Sequence, residues 1–384
     1  MDRFDVAIVG AGPAGCRAAF RMASAGARVA IVDGSHPREK PCGGGVTGRA
    51  LDLVRDAIDP LELPAVAIET AAFEHGVRRV RMSLASLAQP LVVAPRLQFD
   101  GALLAAASRA GAQLIPARVT DVTPQRDGWI LATRDGRLSA GWLLGADGPN
   151  SLVRRRVLQP FDRADLSIAT GLFVHGRTSR EIAVAFEGGP AGYLWAFPRR
   201  DHLAVGACAQ ADESSSAALL SSASRWVGRN VEGPVEAVRY SWPIPSLRVA
   251  TLQREQPAGP RWMLLGDAGG MVDPITREGI FFALLSADAA ADSLLEGVDP
   301  AARYARRVRT SIYAELIRAA RLKDRFFTPR FTGLMIRALE ESPAIRRVMA
   351  DLIAGRQAYH GLRRRLLGTL EVKLMWQVLN HSNH

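Results

Sequence analysis

Cysteine is scarce in this sequence. The three cysteines, Cys16, Cys42 and Cys208, are too scattered to form a metal cluster and too few for a disulfide framework. We therefore expect a reduced, cytoplasmic environment and no metal site. Long apolar runs are also absent, because no stretch reaches the roughly 18 uncharged apolar residues of a membrane span. Charged residues at the start argue against a signal peptide, so we expect neither an export signal nor a transmembrane helix.

Lysine is equally rare, and acidic residues are outnumbered. The chain has 49 lysines and arginines against 38 aspartates and glutamates, a net charge of +11, and its only lysines are Lys40, Lys323 and Lys373. The positive excess is therefore almost entirely arginine. It is compatible with a general preference for arginine, with peripheral contact to a membrane surface, or with an acidic partner. We expect no nucleic-acid partner.

The strongest motif lies in the first 45 residues. Residues 4–9 are a β-branched and apolar run typical of a buried parallel strand, residues 16–25 have a helical pattern, and residues 28–32 predict a second strand. The motif G-x-G-x-x-G stands between the first strand and the helix, and Asp33 follows the second strand. This βαβ unit is typical of a dinucleotide site in an α/β fold.

Each residue of the motif has a physical role. Gly10 permits a tight turn, Gly12 lets the backbone approach a pyrophosphate, and Gly15 lets the helix pack closely on the strand. Unpaired N–H groups at the helix start face the phosphates and are helped by the helix dipole. Asp33 can accept hydrogen bonds from an adenosine ribose. The pattern therefore favours a dinucleotide site over an ordinary strand-turn-helix.

Two later segments repeat the order of an apolar strand followed by glycine and aspartate. They are Gly145-Ala146-Asp147-Gly148 and Leu265-Gly266-Asp267. Together with the opening fingerprint they resemble, in the same order, the three motifs of the p-hydroxybenzoate hydroxylase-type flavoprotein superfamily. The resemblance spans nearly the whole chain. It implies an FAD-dependent oxidoreductase with a Rossmann-like FAD-binding α/β domain and a separate substrate domain.

The resemblance also implies which residues meet FAD. They are Gly10, Gly12, Ala14 and Gly15 at the pyrophosphate, Asp33 at the ribose, Arg96, Val119 beside the adenine, Asp147, Asp267 near the ribityl chain, and Gly279 with Ile280 at the flavin. A helix N-terminus at 279–280 would stabilise the negative charge of a reduced flavin. Asp147 either contacts the cofactor or only holds its own loop.

Two further segments narrow the resemblance. Lys40-Pro41-Cys42-Gly43-Gly44-Gly45 resembles the PCGG loop of the geranylgeranyl reductase family, and Tyr193-Leu194-Trp195-Ala196-Phe197-Pro198 resembles that family's YxWxFP motif. Members of the family reduce isoprenoid double bonds with reduced FAD. The resemblance implies catalytic positions at Cys42, Gly43 and Gly44, flavin contacts at Cys42, Gly43 and Gly45, and a lipid pocket lined by Tyr193, Trp195, Phe197 and Pro198.

The residue types suit this chemistry. On a strand, the three aromatic residues of the second motif point to one face and form an apolar wall for a hydrocarbon chain, although such a face can also be simple core. Hydride transfer to an unactivated alkene needs close stacking and a dry site, which bare glycine backbone permits. The aromatic faces can stabilise carbocation-like charge on the substrate, while the cofactor supplies the hydride.

Two positions depart from the family pattern. Arg277 stands where a glycine is usual, in the segment before Gly279, and Cys208 stands where the reductase pattern has its second glycine after Gly206. Both lie in segments expected near the flavin or the substrate. The pocket is therefore expected to suit either a different lipid or a substrate that is not a lipid.

The alternative function is a flavin-dependent monooxygenase or halogenase on the same fold. Halogenases have a related WxWxIP motif that Tyr193 and Phe197 do not match, and no lysine is placed for their chemistry. The dispersed cysteines disfavour an iron–sulfur electron carrier and a disulfide oxidoreductase. The electron donor stays open between NAD(P)H, a ferredoxin and a reduced quinone, because no second nucleotide fingerprint is present.

The patterns divide the chain into three parts. Short β-type runs between 161 and 246 predict an antiparallel sheet, and the sequence from 301 onward is typical of helix with breaks near Pro329 and Pro343. The expected parts are a discontinuous FAD-binding domain at 1–75, 95–160 and 255–300, a substrate-binding β domain at 76–94 and 161–254, and a helical C-terminal region at 301–384.

Overall fold

The computed structural model describes residues 2–84, 91–187 and 191–369. Within these residues the chain forms 18 strands and 12 α-helices. The strands are β1 (Arg3–Val9), β2 (Val29–Val32), β3 (Gly45–Val46), β4 (Val66–Ala67), β5 (Thr70–His75), β6 (Arg78–Ser83), β7 (Val92–Val93), β8 (Gln113–Ile115), β9 (Val119–Gln125), β10 (Gly128–Thr133), β11 (Arg137–Gly145), β12 (Leu166–His175), β13 (Glu181–Phe186), β14 (Gly192–Pro198), β15 (His202–Gln210), β16 (Ala237–Pro245), β17 (Ala258–Gly259) and β18 (Trp262–Leu264). The helices are α1 (Pro13–Ser24), α2 (Gly48–Asp52), α3 (Arg96–Arg109), α4 (Leu152–Val157), α5 (Ser216–Asn230), α6 (Val249–Arg254), α7 (Ile280–Leu295), α8 (Pro300–Val308), α9 (Ala314–Phe326), α10 (Pro329–Glu341), α11 (Pro343–Ile353) and α12 (Tyr359–Leu367).

The first sheet is built on five parallel strands in the order β18-β11-β1-β2-β8. Its two faces are both covered, which explains why residues 6–9 of β1 and all of β2 are apolar and buried. Val6 and Ile8 of β1 pack with α1, α3 and α7, whereas Ala7 and Val9 pack with the β9–β11 meander and α4. This arrangement confirms the Rossmann-type α/β fold predicted from the sequence.

The second sheet has seven strands in the order β16-β12-β15-β14-β13-β5-β6. All neighbours are antiparallel except β13 and β5. Helix α5 covers one face, and helices α9 to α11 lie over part of the other face. Strand β5 belongs to this sheet, although the boundary drawn from the sequence after residue 75 assigned it to the first part. Its partner β13 comes more than one hundred residues later, so no local pattern marks the pairing.

The C-terminal helices divide between the two sheets. Tyr304 of α8 donates a hydrogen bond to the carbonyl oxygen of Leu264 at 2.7 Å, and Tyr313 donates to the carbonyl oxygen of Gly269 at 2.8 Å. A π-helical turn, Arg309–Tyr313, joins α8 to α9. Helix α8 therefore extends the first domain, while α9 to α11 pack over the second sheet.

The predicted breaks at Pro329 and Pro343 are the first residues of α10 and α11. Proline is tolerated there because the first helical N–H has no partner to lose. The hydroxyls of Thr328 and Ser342 cap the two helices. Among the helices described, none combines the length and the apolar character that crossing a bilayer requires.

Candidate active site

A cavity of about 1220 Å³ lies where the two sheets and the C-terminal helices meet. This volume exceeds the roughly 300–1,000 Å³ of ordinary small-molecule sites. Its walls come from the start of α1, the 40–45 loop, β14, the start of α7, and helices α9 to α12. The cavity can therefore hold more than a single small ligand.

Most site residues predicted from the sequence meet in this cavity. Those that line it are Gly12, Ala14, Cys42, Gly43, Gly44, Gly45, Arg96, Tyr193, Trp195, Phe197, Asp267, Gly279 and Ile280. Those that lie outside its lining are Gly10, Gly15, Asp33, Val119, Asp147 and Pro198. Motifs that are far apart in the sequence thus converge on one place.

The N-terminus of α1 opens onto the cavity at Gly12. No side chain caps this helix, so its first N–H groups are left for a ligand. A Cβ at Gly12 would meet Lys40 Nζ at 3.6 Å and no nearer atom of the described residues, so the backbone is accessible. Gly10 and Gly15 serve the turn itself. Gly10 has φ +104°, and a Cβ at either position would collide with a neighbouring backbone carbonyl.

A second helix N-terminus without a side-chain cap, that of α7, lines the same cavity at Gly279 and Ile280. Asp267 lies beside it, because a Cβ at Gly279 would be 3.3 Å from Asp267 Oδ1. Burial raises the pKa of Asp267, while the charges of Lys40 and Arg96 act in the opposite direction. Asp267 therefore lies at an end of the cavity where two positive helix ends and the cations of Lys40 and Arg96 come together.

The two cations differ in how they are held. Arg96 donates to both carboxylate oxygens of Asp100, at 2.9 and 2.8 Å, and its Nη1 lies 3.7 Å from Cys42 Sγ. Lys40, in contrast, has no carboxylate within 4 Å in the part of the chain that the structure describes. Burial, followed by repulsion from Arg96, lowers the pKa of Lys40. An anionic ligand would satisfy this ammonium group.

The carboxylate of Asp33 is occupied by donors from its own chain. It accepts hydrogen bonds from the backbone N–H of Ala11 at 2.9 Å and of Ser35 at 2.7 Å, and it pairs with Nδ1 of His36 at 2.7 Å. Burial acts to raise the pKa of Asp33, but the hydrogen bonds from His36 and Ala11 outweigh it and lower the pKa. Contact with a ribose stays a prediction for this residue.

Val119 and Asp147 also lie outside the cavity lining. Val119 is buried at the start of β9. Asp147 accepts hydrogen bonds from Ser151 Oγ at 2.5 Å and from the N–H of Leu152 at 2.6 Å, which fixes the loop ahead of α4. These contacts match the alternative in which Asp147 holds its own loop, while the neighbouring Gly148 lines the cavity. Cofactor contact stays a prediction for both.

Close packing against the side chains of Phe197 and Arg199 explains why residues 43–45 are glycines. A Cβ at Gly43 would be 2.7 Å from Phe197 Cδ2, and one at Gly45 would be 3.1 Å from Phe197 Cε2. Gly44 has φ +77°, and a Cβ there would be 2.5 Å from the Arg199 guanidinium. The loop therefore lies flat against an aromatic ring and a buried arginine, with its residues exposed to the cavity.

Sequence reasoning missed two residues that hold this loop. Arg199, fully buried, donates to the carbonyl oxygens of Cys42 at 3.1 Å and Gly43 at 3.3 Å, and pairs with Glu39 at 3.1 Å. Glu39 also accepts the backbone N–H of Arg96 at 3.2 Å. The position of Arg199 directly after the aromatic motif is the only indication that the sequence offered.

The aromatic residues of β14 line the cavity as the alternation predicts. Tyr193, Trp195 and Phe197 are on the cavity side, whereas Leu194 and Ala196 pack on the α5 side. The Tyr193 and Trp195 rings lie 6.0 Å apart. Tyr193 also donates a hydrogen bond to the carbonyl oxygen of Thr276 at 2.5 Å, which ties the strand to the segment before α7. Pro198 is buried and ends the strand.

Both departures from the family pattern lie beside this wall. Arg277 lines the cavity in a left-handed conformation, with φ +60°, and donates to Ser246 Oγ at 2.8 Å and to the carbonyl oxygen of Pro274. Cys208 is buried, and burial raises its pKa. A bulky residue thus stands where glycine is usual, and the Nη1 group of Arg277 is held by Ser246 and by the carbonyl oxygen of Pro274.

The structure brings together one cluster that the sequence did not predict. The side-chain atoms of His175, Asp201 and His202 that could bind a metal ion lie within 4.8 Å of one another, at one end of the second sheet's strands. Asp201 and His202 already pair at 2.8 Å. None of the three lines the cavity, so they are separate from the candidate active site.

The fold and the site together define a dinucleotide-binding flavoprotein. Two uncapped helix N-termini at one end of the cavity and the cation of Lys40 fit a long ligand with an anionic centre, such as FAD. Residues 3–210, over half of the chain, match the family model of the FAD binding domain. The chain belongs to this family of FAD-binding proteins, and FAD is its cofactor.

Relatives and a solved structure agree with this assignment. The chain is 30% identical to the menaquinone reductase of Mycolicibacterium smegmatis, over 77% of each chain. It is 29% identical to the digeranylgeranylglycerophospholipid reductase of Methanothrix thermoacetophila, over 84% of this chain and 88% of the relative. A geranylgeranyl bacteriochlorophyll reductase-like protein of Thermoplasma acidophilum superposes with a TM-score of 0.79 at 20% identity, over 96% of this chain and 100% of that one.

These comparisons confirm the resemblance to the geranylgeranyl reductase family. The protein is an FAD-dependent oxidoreductase.

Proposed function

We propose that the protein reduces carbon–carbon double bonds of an isoprenoid chain with electrons from reduced FAD. The observation that carries this proposal is the continuity of the cavity. Its charged end, at α1 and α7, leads past the 42–45 loop to the aromatic face of β14 and the apolar residues of α10 and α11. A planar cofactor and a long hydrocarbon can therefore lie next to each other in one continuous cavity.

The residues at the charged end would hold the cofactor. The N-terminus of α1, at Gly12 and Ala14, would bind the pyrophosphate, with Lys40 supplying positive charge. The N-terminus of α7 would meet the flavin through Gly279 and Ile280. Reduced FAD supplies a hydride when bound.

The remaining predicted residues complete the proposed site. Arg96 and Asp267 line the same end of the cavity. Asp33 and Val119 are proposed for the adenosine side, which extends beyond the cavity. Asp147 is proposed either to contact the cofactor or to hold the loop ahead of α4. Gly10 and Gly15 support the turn that presents α1.

The residues of the middle section would align the double bond and exclude water. Cys42, Gly43 and Gly44 are the proposed catalytic positions. Their glycine-rich loop has little side-chain bulk and lies between the cofactor end of the cavity and the aromatic wall. Tyr193, Trp195 and Phe197 are proposed to hold the chain, with Pro198 fixing the end of their strand. Aromatic faces attract the positive charge that develops on the substrate carbon when hydride and proton are added separately.

The names of the relatives support this reaction class. The relative from Methanothrix thermoacetophila acts, by its name, on a lipid with geranylgeranyl chains, and the relative from Mycolicibacterium smegmatis on menaquinone. Both substrates carry isoprenoid chains. An apolar small molecule is therefore the proposed partner, reached by peripheral contact with a membrane, and the electron donor is proposed to be NAD(P)H or a ferredoxin.

An anaerobic reaction tests the proposal. The holoenzyme is reduced with dithionite, a geranylgeranyl lipid is added in detergent, and the flavin absorbance and the product mass are followed. We expect the flavin to reoxidise while the lipid gains hydrogen in pairs. Flavin that stays reduced until air is admitted would contradict the proposal and point to monooxygenase or halogenase chemistry instead.

A further inference from the structure

Two histidines face each other on neighbouring strands of the second sheet. His175, the last residue of β12, and His202, the first residue of β15, are directly paired in the ladder between these strands. Residues paired in this way point to the same face of a sheet, and the two ring centroids lie 5.4 Å apart. No short sequence spacing connects the two histidines, which explains why the sequence alone predicted no metal site.

A carboxylate completes the group. Asp201 lies in the turn between β14 and β15 and directly precedes His202. Its Oδ1 lies 2.8 Å from Nδ1 of His202, and its backbone carbonyl accepts the N–H of Gly176, the residue after His175, at 2.9 Å. The strand pairing and the turn therefore hold all three side chains together. We call His175, Asp201 and His202 the His–Asp–His cluster.

The spacing of this cluster suits a single metal ion. The atoms that could bind a metal lie within 4.8 Å of one another. Atoms bound to one zinc ion, each at about 2.0–2.2 Å, are no more than about 4.4 Å apart. The side chains of His175 and Asp201 are exposed and can make the small rotation that is needed, whereas His202 is buried.

His202 has a ring nitrogen that the protein does not use. The residue is 8% exposed, and its Nε2 is buried without a hydrogen-bond partner among the described residues. Buried polar atoms are almost always bonded. When Nδ1–H donates to Asp201, Nε2 carries the lone pair that a metal ion binds, as in the carboxylate–histidine–metal arrangement of many metal sites. The hydrogen bond to Asp201 thus prepares His202 as a ligand.

Aromatic side chains fix the orientation of the His202 ring. Phe173, two residues before His175 on the same face of β12, meets this ring edge-on with centroids 5.1 Å apart. Phe173 in turn packs on Tyr240, with centroids 4.6 Å apart. Because the ring is already held, His202 loses little conformational freedom when it binds a ligand.

The protonation states also suit a metal ion. Burial lowers the pKa of His202, although the hydrogen bond with Asp201 acts in the opposite direction. Burial acts to raise the pKa of Asp201, but the hydrogen bond from His202 and the charges of both histidines outweigh it and lower the pKa. At neutral pH His202 is therefore a neutral imidazole and Asp201 a carboxylate, which are the forms that bind metals.

Three arginines lie close to the cluster along the chain. Arg199 acts on His202 through its charge, but it is paired with Glu39 at 3.1 Å. Arg177 and Arg200 are exposed, where water and salt screen their charges. The positive charge near the cluster is thus paired or screened, and it does not exclude a cation.

We propose that the His–Asp–His cluster binds one divalent transition-metal ion, with the two imidazoles as ligands and Asp201 balancing the charge of the ion. Imidazole nitrogens favour zinc, copper, nickel or iron, whereas magnesium and calcium favour oxygen ligands. The site does not depend on the proposed function, because none of the three residues lines the cavity.

The ion has a structural role. It joins the end of β12 to the turn that carries Arg199, whose backbone N–H donates to the carbonyl oxygen of His202 at 2.7 Å. The guanidinium of Arg199 contacts the carbonyl oxygens of Cys42 and Gly43. A metal ion at the cluster therefore holds in place the turn on which the 42–45 loop rests.

Calorimetric titration with Zn²⁺ tests the proposal in the holoenzyme without an affinity tag. For the variant H175Q we expect zinc binding at this site to weaken more than about a hundredfold, since even the loss of an outer-shell partner costs about 10–100-fold. The variant should fold, because the side chain of His175 is exposed. The other histidines are the same in both proteins, so the difference reports His175. Equal zinc affinity and stoichiometry in both proteins overturn the proposal.

Two further variants sharpen this test. D201N keeps an oxygen that can accept from His202 but removes the charge, so we expect zinc binding to weaken about tenfold to a hundredfold. H360Q is the matched control. His360 is also exposed and pairs with a carboxylate, Glu315, at 3.1 Å, but in the part of the chain that the structure describes no third metal-binding side chain joins them. We expect wild-type affinity in H360Q, and a loss equal to that in H175Q overturns the proposal.

Competition and spectroscopy identify the ligands. Excess Mg²⁺ should leave the zinc bound, and its displacement by Mg²⁺ overturns the assignment of nitrogen ligands. X-ray absorption at the zinc edge should show nitrogen and oxygen neighbours at about 2.0–2.2 Å. A sulfur neighbour at about 2.3 Å places the ion at a cysteine and overturns the proposal.

Hydrogen exchange locates the bound ion. Zinc should slow amide exchange at residues 176–177 and 199–203 in the wild type and have no such effect in H175Q. Slower exchange only elsewhere in the chain overturns the site. None of these measurements needs turnover, so their outcome is independent of whether the protein reduces an isoprenoid chain.

Discussion

The buried guanidinium of Arg199 lies 3.1 Å from the carbonyl oxygen of Cys42. This contact joins the strand that forms the aromatic wall to the loop proposed to lie beside the flavin. Arg199 is fully buried, and Glu39 neutralises its charge from the other side. The substrate wall and the cofactor loop are therefore held as one unit.

Replacing Arg199 by lysine should loosen that unit. A lysine ammonium cannot reproduce the planar fork that contacts Cys42, Gly43 and Glu39 together. We expect R199K to lower the free energy of unfolding by about 1–3 kcal/mol, the cost of unmade charged hydrogen bonds, and to slow flavin reoxidation by substrate. Urea unfolding and anaerobic stopped-flow measure the two effects.

The variant E39Q is the matched comparison for R199K, because it removes the charge but keeps an oxygen that can accept from Arg199. E39Q should also lower the free energy of unfolding, because Arg199 is then buried without an opposite charge. It should slow flavin reoxidation less than R199K, because the guanidinium contacts to Cys42 and Gly43 are kept. Equal stability and equal rates in R199K and the wild type would contradict the positioning role.

The fit of Gly43 against Phe197 predicts a second-site effect. In G43A the new Cβ would lie 2.7 Å from the ring, so the loop must shift and the reduction rate should fall at least about tenfold. The double variant G43A/F197L should recover part of the rate, because the smaller side chain makes room. A double-mutant cycle on the reoxidation rate measures the coupling.

Gly228 supplies the control for that experiment. It lies in α5, and a Cβ at this position would have no neighbouring atom within 4 Å among the described residues. We therefore expect G228A to stabilise the protein by about 0.5–1 kcal/mol and to leave the rate unchanged. Strictly additive effects of G43A and F197L would argue against the contact.

Alanine variants at Gly10 and Gly12 should separate an effect on folding from an effect on FAD binding. In G12A the methyl group meets only the end of Lys40, so the apoprotein should keep its stability while FAD affinity falls, because the pyrophosphate loses its close approach to the backbone. In G10A the strained φ and the collision with backbone should destabilise the apoprotein by more than about 2 kcal/mol. Fluorescence titration with FAD and thermal unfolding of the apoprotein distinguish the two.

The lowered pKa of Lys40 predicts that the stability of the apoprotein depends on pH. Its folded pKa is lowered, so between that lowered value and 10.5 the unfolded chain binds more protons than the folded chain. The contribution of Lys40 to stability therefore rises with pH across this window. Relative to K40M, the wild-type apoprotein should become more stable as the pH is raised toward 10.5.

Bound FAD should alter that behaviour, because phosphate charge favours the protonated ammonium group. We expect K40M to bind FAD more weakly and the pH effect to shrink in the holoenzyme. A stability difference between wild type and K40M that is flat with pH in the apoprotein would contradict the assignment. The measurement is denaturant unfolding across pH.

Trp195 and Trp226 form a matched pair for testing the substrate wall. Both are buried to the same degree, at 5% exposure, but Trp195 lines the cavity while Trp226 packs under the opposite face of the same sheet. W195L should slow reduction of a geranylgeranyl lipid about tenfold, since a cation–π contribution of about 1–2 kcal/mol is lost. W226L should cost stability but leave the rate per folded molecule unchanged. Equal rates in the two variants would remove Trp195 from the substrate site.

The sequence predicted the FAD-binding fold, the cofactor and the family, and the comparisons confirm all three. These conclusions rest on short segments whose chemistry is local. The spacing of Gly10, Gly12 and Gly15 predicts where the backbone turns, where it approaches the pyrophosphate without a side chain, and where the helix packs closely on the strand. The alternation of Tyr193, Trp195 and Phe197 predicts that these three side chains share one face of a strand.

What only the tertiary structure decided is how those segments meet. Arg199 and Cys42 are 157 residues apart, and strand β5 pairs with a strand more than one hundred residues later. The far wall of the cavity depends on how α9, α10 and α12 are packed. Such contacts follow from the docking of two sheets and a helical layer, which no local pattern encodes. The amino-acid sequence alone therefore determined the cofactor and the chemistry to expect, and the packing of the chain determined the cavity in which they are combined.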